Sequence, residues 1–261
     1  MEASFRKFTS MKTKLTEQNY WVDVQGNINL NLPKNHIIKR WIESHLDFKQ
    51  VKSCIEIGCF PGRYLTIFAD HDIEVNGLDF IPNVESLKAV FEENGYKAGE
   101  FINADFTMYL PKRKYDCVAS FGLIEHFTNW DEVFKKHFDY VDVDGFLIIE
   151  TPNFRGFFQR VPRFLFDYKN YKRHNIKAMN LQAWKKLLLE NDFEIINASY
   201  FGGYELWDES NIKNRYFLKL KYYIQTLFFK MQKLLYQKTK ENKSFSCYLG
   251  IIARRNPSQK N

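Results

Sequence analysis

The chain has 261 residues, of which 45% are hydrophobic and 26% charged. That composition suits one large α/β domain with a real core, and it excludes a disordered chain. A formal net charge of +7 points to anionic partners, whether small anions, nucleic acid or acidic membrane, and is silent about fold.

Residues 1–32 read as polar and irregular, with one aromatic pair at Tyr20 and Trp21. The opening MEASFRKFTSMKTK has no long apolar core, so no secretory signal is expected. No apolar run reaches the ~20 residues that span a bilayer. Cys54, Cys59, Cys117 and Cys247 share no metal-binding spacing, and three of them lie in apolar runs. Free thiols in a reducing cytoplasm are expected.

Pro33 opens a helical pattern that runs to about His45, with Ile37, Ile38, Trp41, Ile42 and Leu46 at helical spacing. Strand and helix then alternate. Strands are expected at 51–58, 73–79, 101–104, 115–121, 145–150 and 193–201, and helices at 63–69, 84–94, 130–140 and 181–190. Repeated βα units argue for a parallel sheet covered by helices on both faces. Two segments break the rhythm. Residues 152–175 read as a long aromatic and basic loop, and 211–240 as a lysine-rich helix inserted before a last strand at 245–253.

Five features follow the strands in order. The first is Cys54-Ile55-Glu56-Ile57-Gly58-Cys59-Phe60-Pro61-Gly62-Arg63, a buried strand that ends in a glycine turn and opens a helix. Glycines let backbone approach a ligand, and free N–H groups at a helix start suit an anion. Alone, this turn is equally a plain strand-to-helix connection. The second is Asp79, at the end of the next strand, where a carboxylate can accept from ribose hydroxyls or cap a helix. The third is Asn103-Ala104-Asp105-Phe106, able to meet an adenine or simply to turn the chain. The fourth is Phe121-Gly122-Leu123-Ile124-Glu125-His126-Phe127, and the fifth Thr151-Pro152-Asn153. Their joint order is far more specific than any member.

This series resembles the class I S-adenosylmethionine-dependent methyltransferase family, nearest to its bacterial small-molecule and glycan-modifying branches. The resemblance covers about residues 51–201 and the last strand. It implies a Rossmann-like, mostly parallel seven-stranded sheet whose last strand is antiparallel, all within one methyltransferase domain. It also implies S-adenosylmethionine as cofactor. Glu56, Gly58, Cys59 and Gly62 would then lie in the methionine loop, Asp79 and Phe80 at the ribose, Asp105 and Phe106 at the adenine, and Phe121 and Gly122 at the amino group. Phe60 departs from the family pattern, which has a glycine there. Phe tolerates positive φ poorly, so the loop must use a different local backbone. A nicotinamide or flavin enzyme is disfavoured by the same departure, since the pyrophosphate needs that glycine. No P-loop is present.

Methyl transfer from a sulfonium needs mainly alignment of a nucleophile, helped by a base when the acceptor is a hydroxyl. His126, after the fourth strand, and His174, at the end of the 152–175 loop, are the candidate bases; structural hydrogen bonding or loop anchoring is the alternative for each. His36, His45, His71 and His137 fall in helical patterns and read as surface residues. The 152–175 loop is expected to roof the acceptor. Arg155, Arg163, Tyr171 and Arg173 would be its contacts with an anionic small molecule or glycan. No ligand cluster is visible along the chain, so no metal is expected.

The leading function is O-methylation of a small molecule or surface-polysaccharide precursor. N-methylation stays open, and a binding protein on a degenerate methyltransferase fold is the rival. A nucleic-acid substrate is disfavoured, since no N-P-P-Y-type motif flanks the pocket. In the 211–240 helix, Leu220, Ile224, Leu227, Phe228, Met231, Leu234 and Leu235 form a helical stripe flanked by lysines. It can pack on its own domain, pair with a second copy, or lie on an anionic membrane.

Overall fold

The computed structural model describes residues 13–203, 215–239 and 241–257. Asn211, Lys213 and Lys240 of the expected insertion lie outside them. Seven strands, β1 (Ser53–Ile57), β2 (Glu74–Asp79), β3 (Ala98–Asn103), β4 (Tyr115–Phe121), β5 (Val141–Pro152), β6 (Phe193–Phe201) and β7 (Tyr248–Arg255), form one sheet in the order β3-β2-β1-β4-β5-β7-β6. β1 to β5 are parallel, and β7 runs antiparallel to both β5 and β6. The helices are α1 (Gln18–Gln25), α2 (Ile37–Glu43), α3 (Thr66–Ala69), α4 (Ser86–Glu93), α5 (Trp130–Lys136), α6 (Phe157–Phe166), α7 (Tyr168–Lys172), α8 (Leu181–Leu189) and α9 (Arg215–Thr239).

The strands are apolar on both faces because both are covered. Cys54, Cys117 and Ile148 face one way, onto α2, α3 and α4 through Ile38, Phe68 and Phe91. Ile55, Val118 and Leu147 face the other way, onto α5 and α8 through Phe134 and Trp184. Each large side chain so buried contributes about 1.5–3 kcal/mol. Trp41 ties α2 to the sheet: its ring stacks on Phe201 at 4.6 Å, and its indole N–H donates to Asn197 and Ser199. That approach requires Gly250, where a Cβ would lie 2.6 Å from the indole ring.

Two expectations need correction. Residues 152–175 are not an open loop but the helical pair α6 and α7. Pro162 reads as a breaker. Yet Phe158, Gln159, Pro162, Arg163 and Phe166 make one buried stripe at helical spacing, and packing overrides the proline. The second concerns residues 1–32. Lys14 pairs as a bridge with Phe127, Asn29 with Gly62, and α1 lies between them.

α9 connects β6 to β7 and rests on α6, with Phe217 against Phe166 and Phe228 against Phe158. The expected apolar stripe is only partly covered. Leu220, Leu227 and Leu234 are exposed, as are Tyr216, Tyr222, Tyr223 and Phe229. No helix among the described residues is long and apolar enough to cross a membrane.

Candidate active site

A cleft of about 530 Å³ opens at the carboxyl ends of β1 to β5, a size typical of small-molecule sites. Of the residues expected at a cofactor, Glu56, Gly58, Cys59, Asp79, Phe80, Asp105, Phe106, Phe121 and Gly122 line it. Gly62 does not. It turns the chain into the next helix at φ +100°, and a Cβ there would meet Leu87 at 2.7 Å and Leu30 at 2.9 Å.

The loop after β1 explains how Phe60 fits. Positive φ falls on Gly58 and Gly62 and not on Phe60. The Phe60 ring turns into the core, and its N–H points back to donate to Asp79 Oδ2 at 3.0 Å. Ile81 N–H donates to Asp79 Oδ1 at 3.1 Å. Burial pushes the Asp79 carboxyl up from its ordinary range, against the pull of these backbone donors. A carboxylate has about four acceptor sites, so Asp79, which lines the cleft, keeps capacity for a ligand beside these backbone donors.

Asp105 is also held. Thr107 donates to Oδ1 through both its N–H and its hydroxyl, and Lys14 reaches Oδ2 at 2.5 Å. Burial opposes ionisation here, but these hydrogen bonds outweigh it and keep the carboxyl low. Phe106 lines the cleft from the core side, packed on His137 and Tyr140.

Acidic groups without partners gather at the centre. Glu56 Oε2 and Glu150 Oε1 are buried and accept no hydrogen bond among the described residues. Burial drives both carboxyls well above their usual range; Asp79 adds to the effect at Glu56 and Glu125 at Glu150, while Arg63 opposes it at both. Such a set is costly unless a cationic ligand satisfies it. S-adenosylmethionine carries an ammonium and a sulfonium, so the orphaned oxygens fit it.

His126 and His174 stand together with Glu125. Their rings lie 4.6 Å apart. His126 Nδ1 is 3.0 Å from the Arg173 carbonyl, and His174 Nδ1 is 2.8 Å from the Asn170 carbonyl. A carbonyl only accepts, so both Nδ1 atoms carry the proton and both Nε2 atoms keep a lone pair. Burial holds His126 far below its ordinary pKa, and His174 at about 4. Among the described residues, neither oxygen of Glu125 accepts a hydrogen bond from another residue, and burial raises its carboxyl to about 8.

Of the four expected acceptor contacts, Arg173 lines the cleft. Arg155, Arg163 and Tyr171 are not among its lining residues. Arg163 is fully buried over the Phe154 ring at 4.0 Å, and Tyr171 packs on Tyr168. Two histidines expected at the surface also differ. His137 is buried, with Nδ1 on the Val133 carbonyl, and His36 lines the cleft against Tyr64.

The roof is the N-terminal segment. Leu15 N–H donates to the His126 carbonyl, Thr16 Oγ1 meets His126 Nδ1, and Trp21 sets its edge against the His126 ring at 4.8 Å. Tyr20 takes a hydrogen bond from Arg173, while Gln18 reaches the Phe80 carbonyl. Sequence reading noted the Tyr20–Trp21 pair but had no signal for its location. Glu150 and Lys14 were missed, and Glu125 stood only within the fourth feature, because each becomes a site residue through burial or distant pairing.

A family model described as a methyltransferase domain matches residues 33–198, more than half of the chain. No curated protein sequence matches. Among solved structures, the chain is similar to an S-adenosylmethionine-dependent methyltransferase from Archaeoglobus fulgidus, with TM-score 0.53 and 18% identity over 91% of this chain and 98% of that one. A candidate methyltransferase from Bacillus halodurans C-125 gives TM-score 0.56 and 17% identity over 84% and 99%. The StiE O-MT segment gives 0.54 and 14% over 84% and 73%. At these identities the likeness is one of fold.

Proposed function

Since the chain belongs to the methyltransferase-domain family and is an S-adenosylmethionine-dependent methyltransferase, we propose that it methylates a hydroxyl of a small-molecule or surface-glycan precursor. The cofactor, when bound, supplies a methyl group activated on a sulfonium. Asp79 would accept from the ribose hydroxyls with the acceptor capacity that its backbone donors leave. Glu56 and Glu150 would satisfy the ammonium, and Arg63, which lines the same cleft, would take the carboxylate. Lys14, Thr16, Tyr20 and Trp21, from α1 and just before it, line the same cleft.

The observation that carries the hydroxyl reading is the Glu125–His126–His174 cluster. A neutral amine attacks a methyl group without help, whereas a hydroxyl must lose its proton. Buried Glu125 and His126 and half-buried His174 gather where the acceptor oxygen would have to shed it. Arg173 adds positive charge beside them, which suits an anionic acceptor such as a sugar phosphate. The test incubates the full chain with labelled cofactor and matched hydroxyl and amine acceptors, with and without phosphate. Label on the hydroxyl of the anionic members supports the reading. Label on amines alone would replace it with N-methylation, and failure to bind S-adenosylhomocysteine would favour a binding protein on this fold.

The reading extends to where the acceptor is met. α9 exposes Tyr216, Leu220, Tyr223, Leu227 and Phe229 among Lys219, Lys230 and Lys233, and it contains no acid. Two copies of so basic a face repel one another, whereas an anionic lipid surface attracts it. We infer peripheral contact with an acidic membrane, which suits a lipid-linked glycan. Salt-sensitive co-sedimentation with anionic vesicles is expected. A chain that ignores vesicles and forms a stable dimer would overturn it.

A further inference from the structure

Resting on the reading that the acceptor hydroxyl sits against Glu125, His126 and His174, we propose that these three side chains hold a divalent transition metal of zinc-like character, with a coordination position open to the acceptor. One ligand atom from each lies within 4.8 Å of the others. Two imidazole nitrogens and one carboxylate are a donor set that borderline metals favour, and three protein ligands plus an open position is the arrangement of catalytic zinc.

Three further observations point the same way. The first is tautomer. Each histidine gives its Nδ1 proton to a backbone carbonyl, Arg173 for one and Asn170 for the other. That leaves Nε2 as the donor atom and fixes both rings, the outer support that metal-bound histidines almost always have. The second is Glu125, fully buried, with neither oxygen accepting from another described residue and Oε1 3.9 Å from His126 Nε2. A purely structural glutamate at such a position would be expected to bond a donor. The third is access, since all three residues line the cleft itself.

Ligand atoms at about 2 Å from a tetrahedral metal sit roughly 3.3 Å apart, so the cluster must close by up to about 1.5 Å on loading. Glu125 and His126 share one turn after β4, and His174 lies two residues beyond the end of α7, so a small shift of that segment suffices. The metal lowers the pKa of an acceptor hydroxyl that binds it. The hydroxyl proton then leaves to water. The oxygen forms its bond to the methyl carbon as the carbon–sulfur bond breaks, and the bonding pair stays on sulfur. Acceptors with a second oxygen in chelating position, such as vicinal diols, are favoured.

The full chain, stripped with chelator, is titrated with zinc by calorimetry and with cobalt(II) by visible absorption. One metal per chain is expected, with the absorption of a four- or five-coordinate cobalt site. Glu125→Gln and His174→Ala should each weaken binding by about a hundredfold or more, above the 10–100-fold that losing a supporting residue costs. S-adenosylhomocysteine affinity is measured on every sample. Cofactor binding without metal binding overturns the metal site and leaves the methyltransferase reading intact. Metal binding that survives both substitutions places the ion elsewhere and also overturns it. Metal binding lost in the isosteric Glu125→Gln, with cofactor affinity retained, supports it.

Discussion

Asp79→Ala separates what this carboxylate does for the cofactor from what it does for the loop. It accepts from Phe60 N–H at 3.0 Å and from Ile81 N–H at 3.1 Å. Removing it leaves two buried donors, each costing about 1–3 kcal/mol when unsatisfied. Loss of a poorly solvated carboxyl offsets part of that, because burial already raises its pKa. A net destabilisation of about 1–3 kcal/mol is expected by urea denaturation. Losing the ribose contacts should cost a further ~1.5–3 kcal/mol of binding, or about 10- to 150-fold in affinity. Calorimetry with S-adenosylhomocysteine reads the second quantity on folded protein. Asp79→Asn keeps one acceptor oxygen and should lose less on both scales. A folded Asp79→Ala chain that binds within about threefold of the parent would refute the assignment.

Other perturbations probe the frame. His137 is buried and its pKa falls from 6.5 to about 4, chiefly through burial. The folded value lies below the unfolded one, so its contribution is present above pH 6.5 and is lost as pH falls through about 4. His137→Gln should remove up to about 3 kcal/mol of pH-dependent stability in that window, read from denaturation midpoints. Gly62→Ala must adopt φ +100° and place a Cβ 2.7 Å from Leu87, so a loss of about 2–4 kcal/mol in urea denaturation is expected. Trp21→Ala opens the roof beside His126, and steady-state kinetics should show a raised KM for the acceptor with cofactor affinity changed less; an unchanged KM would remove α1 from the acceptor site.

Much of the sheet was legible because its signals are local. β4 and β6 carry their boundaries in the sequence, and the loops after β1, β2 and β3 announce themselves by glycine and aspartate at strand ends. What escaped depends on partners far along the chain. Lys14 gains meaning only at Asp105, and Tyr20 only at Arg173. Glu125 and His174 stand apart in sequence, so no spacing rule joins them. α6 reads as part of an aromatic and basic loop, because its buried stripe from Phe158 to Phe166 shows only against the partners the fold supplies. Arg163 was expected at the acceptor, yet the fold places its guanidinium on Phe154 inside the core.

The strand order carries a consequence for how the chain assembles. β6 touches the sheet only through β7, which follows it after the long excursion of α9. Strands β1 to β5 can therefore zip together as they are synthesised, each beside an earlier neighbour. β6 must wait with an unpaired edge until β7 arrives and slots between it and β5. Non-local pairing of that kind is slow and leaves an aggregation-prone intermediate. The late step should be sensitive to the α9 segment, because its length and charge set how readily β7 finds its slot. Shortening that connection should alter refolding rate more than final stability.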